Sequence, residues 1–226
     1  RGETRVQDWL AVRTLDRYLP KYPRRLFLDF LRRARLSPMC GLLRDFSRRG
    51  FVLKDARTLE MFGGTGNLHT VDYASRVSSL EVWEIDPVLA PELQRNLPGA
   101  TVRITDSFVQ LRSTKDRFDL IFVDPPYEIF DGHCEHFDLF PEIFRILNKF
   151  AVLVLCNVRP KIVMTWRYTH QHFARRKAFY GVEDPKTVAV EQMLSTYEHL
   201  AMRNGFTIKW WILRDRGVMY KFRGKN

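Results

Sequence analysis

From Thr58 to Cys156 the chain alternates short apolar runs with amphipathic segments, and this rhythm limits the possible folds more than any other feature. The runs Thr58–Phe62, Leu80–Ile85, Thr101–Thr105, Leu120–Val123 and Ala151–Cys156 have the length of strands. Segments 67–76, 88–96 and 138–149 read as helices, and in the last Leu139, Ile143, Phe144 and Leu147 form one apolar stripe. A repeated strand–helix–strand order requires crossovers and so predicts a parallel sheet. Further on, Val190–Asn204 reads as a helix closed by Gly205, and Phe206–Leu213 pairs with Val218–Phe222 across Arg214-Asp215-Arg216-Gly217. The expected fold is α/β and Rossmann-like. Its seven-stranded sheet is mostly parallel and ends in an antiparallel hairpin.

Residues 1–57 carry a different pattern. Trp9, Val12, Asp16 and Leu19 follow helical spacing, as do Phe27, Phe30, Leu31 and Ala34, with Pro20 and Pro23 separating the two segments. Ser37-Pro38 opens a third short helix that Gly50 ends. The predicted organisation is a basic helical extension over 1–57 and a main domain over 58–226, with an insert at 159–190 that breaks the strand–helix rhythm. No apolar run approaches the ~20 residues a membrane helix needs. Three scattered cysteines, Cys40, Cys134 and Cys156, argue against a disulfide scaffold and for a reducing, cytoplasmic setting.

The formal net charge of +11 is unevenly spread: +9 over residues 1–57, −7 over 58–158 and +9 over 159–226. Two basic arms around an acidic middle favour a polyanionic partner, most simply nucleic acid. The alternative is an ordinary solvated basic surface.

Glu60-Met61-Phe62-Gly63-Gly64-Thr65-Gly66-Asn67 follows the first strand and is read as opening a helix. Glycines allow the backbone to turn sharply and approach a ligand, and a helix start offers free N–H groups. The next strand ends in Glu84, with Asp86 just beyond. An acid about 20 residues after such a loop can take both hydroxyls of a ribose. Glu84 is the first choice and Asp86 the fallback. The third strand leads into Asp106-Ser107, whose oxygens can accept from an adenine amino group. A pyrophosphate-binding loop wants a third glycine where this chain has His69, so NAD is disfavoured. Glu60 would repel a pyrophosphate but suits an amine.

The sharpest signal is Phe118-Asp119-Leu120-Ile121-Phe122-Val123-Asp124-Pro125-Pro126-Tyr127. Asp124 ends an apolar strand, at the sheet edge where ligands bind in open α/β folds. The two prolines fix the backbone just beyond it. The Asp124 carboxylate and the Pro125 carbonyl can accept both hydrogens of a planar amine, while Tyr127 offers a face for stacking a base. Catalysis by such a site is positioning and electrostatics.

These residues together resemble the Rossmann-fold S-adenosylmethionine-dependent amino-methyltransferases with an Asp/Asn-Pro-Pro-aromatic motif. The resemblance runs from about Thr58 to Phe222. It implies a cofactor loop at Glu60, Phe62, Gly63, Gly64 and Gly66, a ribose acid at Glu84, an adenine contact at Asp106, and an active-site tetrapeptide Asp124, Pro125, Pro126 and Tyr127. The phrase around Asp124 is similar to that of ribosomal RNA guanine-amine methyltransferases, and adenine-amine methyltransferases share it. The resemblance implies S-adenosylmethionine as cofactor and nucleic acid as partner.

The insert mixes Arg159, Arg167, Arg175 and Arg176 with Trp166, Tyr168 and Phe173. Basic and aromatic residues interleave this way in single-stranded nucleic-acid grooves, and also in packed helix pairs. The insert's modest size, with the helical arm, fits RNA, or loosely specified DNA, better than sequence-specific duplex DNA. His133-Cys134-Glu135-His136 lacks a second ligand pair for zinc, and His133 is read as a substrate contact in a closing loop. Two other readings stay open: an N-methyltransferase of a protein or small molecule, and a nucleic-acid-binding subunit without chemistry.

Overall fold

The computed structural model describes residues 38–67, 69–125, 129–130, 133–134, 136–156, 158–163, 165, 168–214 and 217–224. The two helices expected before residue 37 lie outside them. So do Pro126, Tyr127, Trp166, Arg167 and the turn residues Asp215 and Arg216. The chain divides into two compact units, Arg1–Val52 and Leu53–Asn226. In the first, helix α1 (Pro38–Arg48) buries Met39, Cys40, Leu42, Leu43 and Phe46, and Gly50 follows in a left-handed conformation at φ 77°. That is the third helix expected from the sequence, with its glycine stop.

The second unit is built on a sheet. Its strands are β1 (Arg57–Met61), β2 (Ser79–Glu84), β3 (Thr101–Ile104), β4 (Phe118–Val123), β7 (Leu147–Cys156), β8 (Phe206–Arg214) and β9 (Gly217–Gly224). They lie in the order β3-β2-β1-β4-β7-β9-β8. The first five are mutually parallel, and β9 runs antiparallel to both β7 and β8. Two short strands, β5 (Ile129–Phe130) and β6 (His133–Cys134), form a separate antiparallel pair after β4. Central parallel strands are covered on both faces, which is why they read as apolar runs. Leu59, Met61, Ile121, Val123, Leu153 and Leu155 bury one face together with Phe108, Leu111, Phe144, Met193, Tyr197 and Phe206. On the other face Tyr73 stacks on Phe122 with ring centroids 4.2 Å apart.

Three local expectations are corrected. The segment after the glycine loop is two 3-10 turns, Thr70–Asp72 and Ala74–Arg76, and not a helix. β-branched Thr70 and Val71 and short polar Asp72 and Ser75 are weak helix formers, and the Tyr73–Phe122 stack holds the segment against the sheet. The expected helix 138–149 is a 3-10 turn (Phe137–Leu139), then α4 (Glu142–Arg145), and then the start of β7. Pro141 has no N–H to continue the first turn; the stripe Leu139, Ile143, Phe144 and Leu147 is nonetheless fully buried. Helix α3 (Ser107–Ser113), between β3 and β4, was not anticipated. Helix α2 (Ala90–Asn96), preceded by a 3-10 turn, lies where a helix was expected.

The insert carries helix α5 (His170–Tyr180), capped by the Thr169 hydroxyl and ended by left-handed Gly181. Helix α6 (Val190–Arg203) follows. Phe179 and Tyr180 pack with Phe137, Phe140 and Tyr197, so these aromatics belong to the core and not to an open groove. His136 is buried and joined to Tyr197, whose hydroxyl lies 2.9 Å from that of Tyr180. The buried His172 sits 3.6 Å from the Cys134 sulfur. Burial first, then the charge of Arg176, holds His136 down to about 3 and His172 to about 4, so both rings are neutral near pH 7.

Arg176 was expected to face substrate and does not. It is 1% exposed. Its guanidinium donates to the carbonyls of Pro185, Arg159 and Pro160 and lies over the Tyr180 ring. Arg176→Leu strands those buried acceptors, each worth about 1–3 kcal/mol. The expected result is a loss of about 3 kcal/mol or more in urea unfolding. A midpoint within experimental error of wild type would return Arg176 to the ligand-binding candidates.

Candidate active site

The strand order reverses between β1 and β4, which opens a crevice at their C-terminal ends. The glycine loop leaves β1 there. Phe62 sits in the left-handed region at φ 63°, a costly conformation for a residue with a side chain. No local sequence pattern announces this conformation. Its ring packs on Phe108 of α3, 5.6 Å between centroids.

The three glycines serve different ends. Gly63 donates its N–H to the Trp83 carbonyl at 2.9 Å, and a Cβ there would meet Val82 at 2.2 Å. Gly66 is left-handed and lies against Leu93 and Leu97 of the α2 region. Gly64 is also left-handed, but a Cβ would meet nothing within 4 Å, so its outer face is open. Close packing beneath and open space above make a cradle for a ligand. Asn67 is half-buried at its end.

Glu84, at the tip of β2, anchors this cradle. One carboxylate oxygen accepts the Gly64 N–H at 2.6 Å and the other accepts the Asp86 N–H at 2.9 Å. Each oxygen has two lone pairs, so the acid can also take ribose hydroxyls. Asp86 is exposed and accepts from the Val88 N–H at 2.9 Å, capping the next turn. The first-choice acid thus lies at the loop, and the fallback caps a turn. Asp106 caps α3 by accepting from the Phe108 N–H at 2.7 Å, with Ser107 buried beside it. That α3 start brings Phe108 against both Phe62 and His133, whose ring stacks on it at 3.8 Å. Phe108 was not among the expected site residues. Its signal was the Asp-x-Phe cap of a helix too short to show periodicity.

Asp124 follows β4 directly and is half-buried, and Pro125 behind it is buried. β1 and β4 pair in parallel, Met61 opposite Val123, so the loop and Asp124 leave the same edge of adjacent strands. Glu60, on β1, is 5% exposed, and among the described residues its Oε2 has no hydrogen-bond partner. Burial above all, and then the nearby Asp124 charge, raise the Glu60 pKa well above the usual carboxylate range. A hydrogen bond from Thr70 opposes the shift. Burial, Asp124 and Glu60 likewise push the Cys156 thiol up.

His133 is half-buried, 4.0 Å from the Asp138 carboxylate. Asp138 also accepts the Cys134 N–H at 2.7 Å and pairs with Arg175 at 2.7 Å. Arg175 is exposed, while Arg159 is half-buried with its carbonyl accepting from Arg176.

The fold and this crevice fit S-adenosylmethionine. The open side of Gly64 leaves room above the loop, the Glu84 carboxylate lies against the Gly64 N–H, and among the described residues the buried Oε2 of Glu60 has no hydrogen-bond partner. Three solved structures share the fold. The N-methyltransferase NodS from Bradyrhizobium japonicum WM9 superposes at TM-score 0.51 and 16% identity, over 83% of this chain and 94% of that one. M. jannaschii TYW2 in complex with AdoMet gives TM-score 0.50 and 13% identity, over 81% of this chain and 76% of that one. Magnesium protoporphyrin IX methyltransferase (ChlM) from Synechocystis PCC 6803, with bound SAM, gives 0.50 and 10%, over 83% and 78%. Comparison with curated proteins gives no match. The fold is the α/β Rossmann-like fold shared with these S-adenosylmethionine-dependent methyltransferase structures. The chain belongs to the family described as Conserved hypothetical protein 95 (Cons_hypoth95), which matches residues 24–178. Among the described residues no helix is long and apolar enough to cross a membrane.

Proposed function

We propose that this enzyme transfers a methyl group from S-adenosylmethionine to an exocyclic amine of a nucleic-acid base, in RNA. The observation that carries the reading is the adjacency of β1 and β4, which brings Asp124 and Pro125, the first two residues of the Asp-Pro-Pro-Tyr motif, to the same sheet edge as the glycine loop. The cofactor's sulfonium supplies an electrophilic methyl and needs no protein nucleophile. In this reading Gly63, Gly64, Gly66 and Glu84 hold the nucleoside, with the Asp106–Phe108 segment at its base end. The Asp124 carboxylate and the Pro125 carbonyl accept the two amine hydrogens, fix the nitrogen in line with the methyl and favour localisation of its lone pair. Tyr127 stacks the unpaired base. His133 and Arg175 flank the substrate side.

The RNA assignment is supported by the two basic arms, each +9, around the acidic middle. In this reading residues 1–57 grip the RNA backbone. The test is tritium transfer from labelled S-adenosylmethionine to cellular RNA, followed by nucleoside mass spectrometry. The expected product is one N-methylated base, with RNA affinity falling steeply as salt rises. Label in protein or small molecules alone would replace the RNA reading, and no transfer to any fraction would leave a binding subunit.

A further inference from the structure

A few residues beyond Asp124 and Pro125 the chain forms a very small hairpin. β5 and β6 contribute two residues each, with Ile129 opposite Cys134 and Phe130 opposite His133. A two-stranded ribbon of this length does not hold itself together in water, so its place is set by what it packs against. Neighbouring strand residues face opposite ways, and β6 uses both directions. Cys134 is fully buried: its N–H donates to Asp138 at 2.7 Å, and its sulfur lies 3.6 Å from His172 of α5. Asp138 in turn accepts from Arg175 of the same helix at 2.7 Å. The ring of His133 instead lies flat on Phe108, with 3.8 Å between centroids and 10° between planes. Phe108 also meets Phe62, 5.6 Å away and tilted by 58°. Phe62 leads directly into Gly63–Gly66, and its left-handed φ of 63° persists only in fixed surroundings. An aromatic row, Phe62–Phe108–His133, thus joins the glycine loop to the hairpin, while Cys134 joins the hairpin to the insert.

We propose that His133 is a positioning residue for methyl transfer: by stacking on Phe108, its ring seats the β5–β6 hairpin, and with it the segment that follows Asp124 and Pro125, against the glycine loop. The flat face of the ring does this, and the ring nitrogens do not. An imidazole and a phenyl ring stack alike, whereas only the imidazole can hydrogen-bond an acceptor base. The role matters because transfer needs the amine in line with the methyl, and a displacement of about 1 Å can cost about a hundredfold in rate. It presupposes the methyl-transfer function proposed above and adds to it a physical link between the donor side of the site and the acceptor side.

His133→Ala and His133→Phe test it on the whole protein, with total cellular RNA as the acceptor. S-adenosylhomocysteine should bind both variants within about threefold of wild type, as expected for a change outside the cradle. His133→Ala should lower transfer at saturating S-adenosylmethionine by about tenfold to a hundredfold. It should also speed amide hydrogen exchange over residues 129–134 by about threefold to tenfold, the worth of one aromatic stack. His133→Phe should rescue both, to within about threefold of wild type, because the stack is kept and the ring nitrogens are gone. Transfer lost equally in the two variants, with exchange at the wild-type rate in both, would make His133 a direct acceptor contact and overturn the positioning role. Wild-type transfer by His133→Ala would overturn it as well. A wild type that binds S-adenosylhomocysteine but transfers no methyl to any fraction strikes the function proposed above instead. Exchange over residues 129–134 then still decides whether His133 seats the hairpin, and equal rates in wild type and His133→Ala overturn that.

Discussion

Asp124→Ala binds S-adenosylmethionine with nearly wild-type affinity and loses methyl transfer by at least about a hundredfold, the usual scale for removing a preorganised polar group from a transition state. The separation follows from position. In the proposed reading the cofactor cradle is built from the loop after β1 and from Glu84 at the tip of β2. Asp124 sits across the strand boundary, at the end of β4, where the amine must be held. Equilibrium binding and single-turnover transfer, measured on the same preparation, check both halves. Transfer at the wild-type rate removes Asp124 from the chemistry. Loss of donor binding together with transfer makes it part of the cradle.

Gly66→Ala is expected to cost stability and donor binding together. Gly66 has φ 69°, where a side chain costs about 1–2 kcal/mol. Its Cβ would also meet Leu93 and Leu97 at 2.7 Å, and both leucines are buried and cannot swing away. Overpacking of this kind adds about 1–3 kcal/mol. The loop must shift, and with it the N–H of Gly64 that Glu84 holds. Gly64→Ala is the control: its φ of 55° has the same sign, but its Cβ would meet open space. Urea midpoints should therefore fall clearly more for Gly66→Ala than for Gly64→Ala. Equal losses would mean that the contact with Leu93 and Leu97 sets nothing.

The site was legible where chemistry restricts residue type. Glycines at the end of β1, an acid at the tip of β2 and Asp124-Pro125 after β4 leave the same edge of the parallel sheet. What stayed hidden depends on partners distant in sequence. His136 meets Tyr197 across 61 residues, and no local pattern announces that pair. Arg175, Arg176 and Lys177 read alike in the sequence, but successive helical residues point about 100° apart. Arg175 therefore faces solvent and Asp138, while Arg176 is buried among backbone carbonyls. Asp106 was chosen for adenine because it is polar and follows β3. The same carboxylate caps α3, a seven-residue helix shorter than two full turns. After the glycine loop, helical spacing misled because Thr70, Val71 and Asp72 resist helix and Tyr73 is committed to Phe122. The boundary at residue 57 follows from charge and pattern, whereas the compact units divide between Val52 and Leu53, before β1 begins at Arg57.

The central claim is that a nucleoside methyl donor lies along Gly63–Gly66 with its reactive end toward Asp124. A crystal structure of the protein grown with saturating S-adenosylhomocysteine measures this directly. The account predicts the ribose hydroxyls on the Glu84 carboxylate, the adenine against the Asp106–Phe108 segment, and the sulfur facing the tip of β4. Ligand density at another place on the protein, with Glu84 and the glycine loop making no contact to it, would contradict the account.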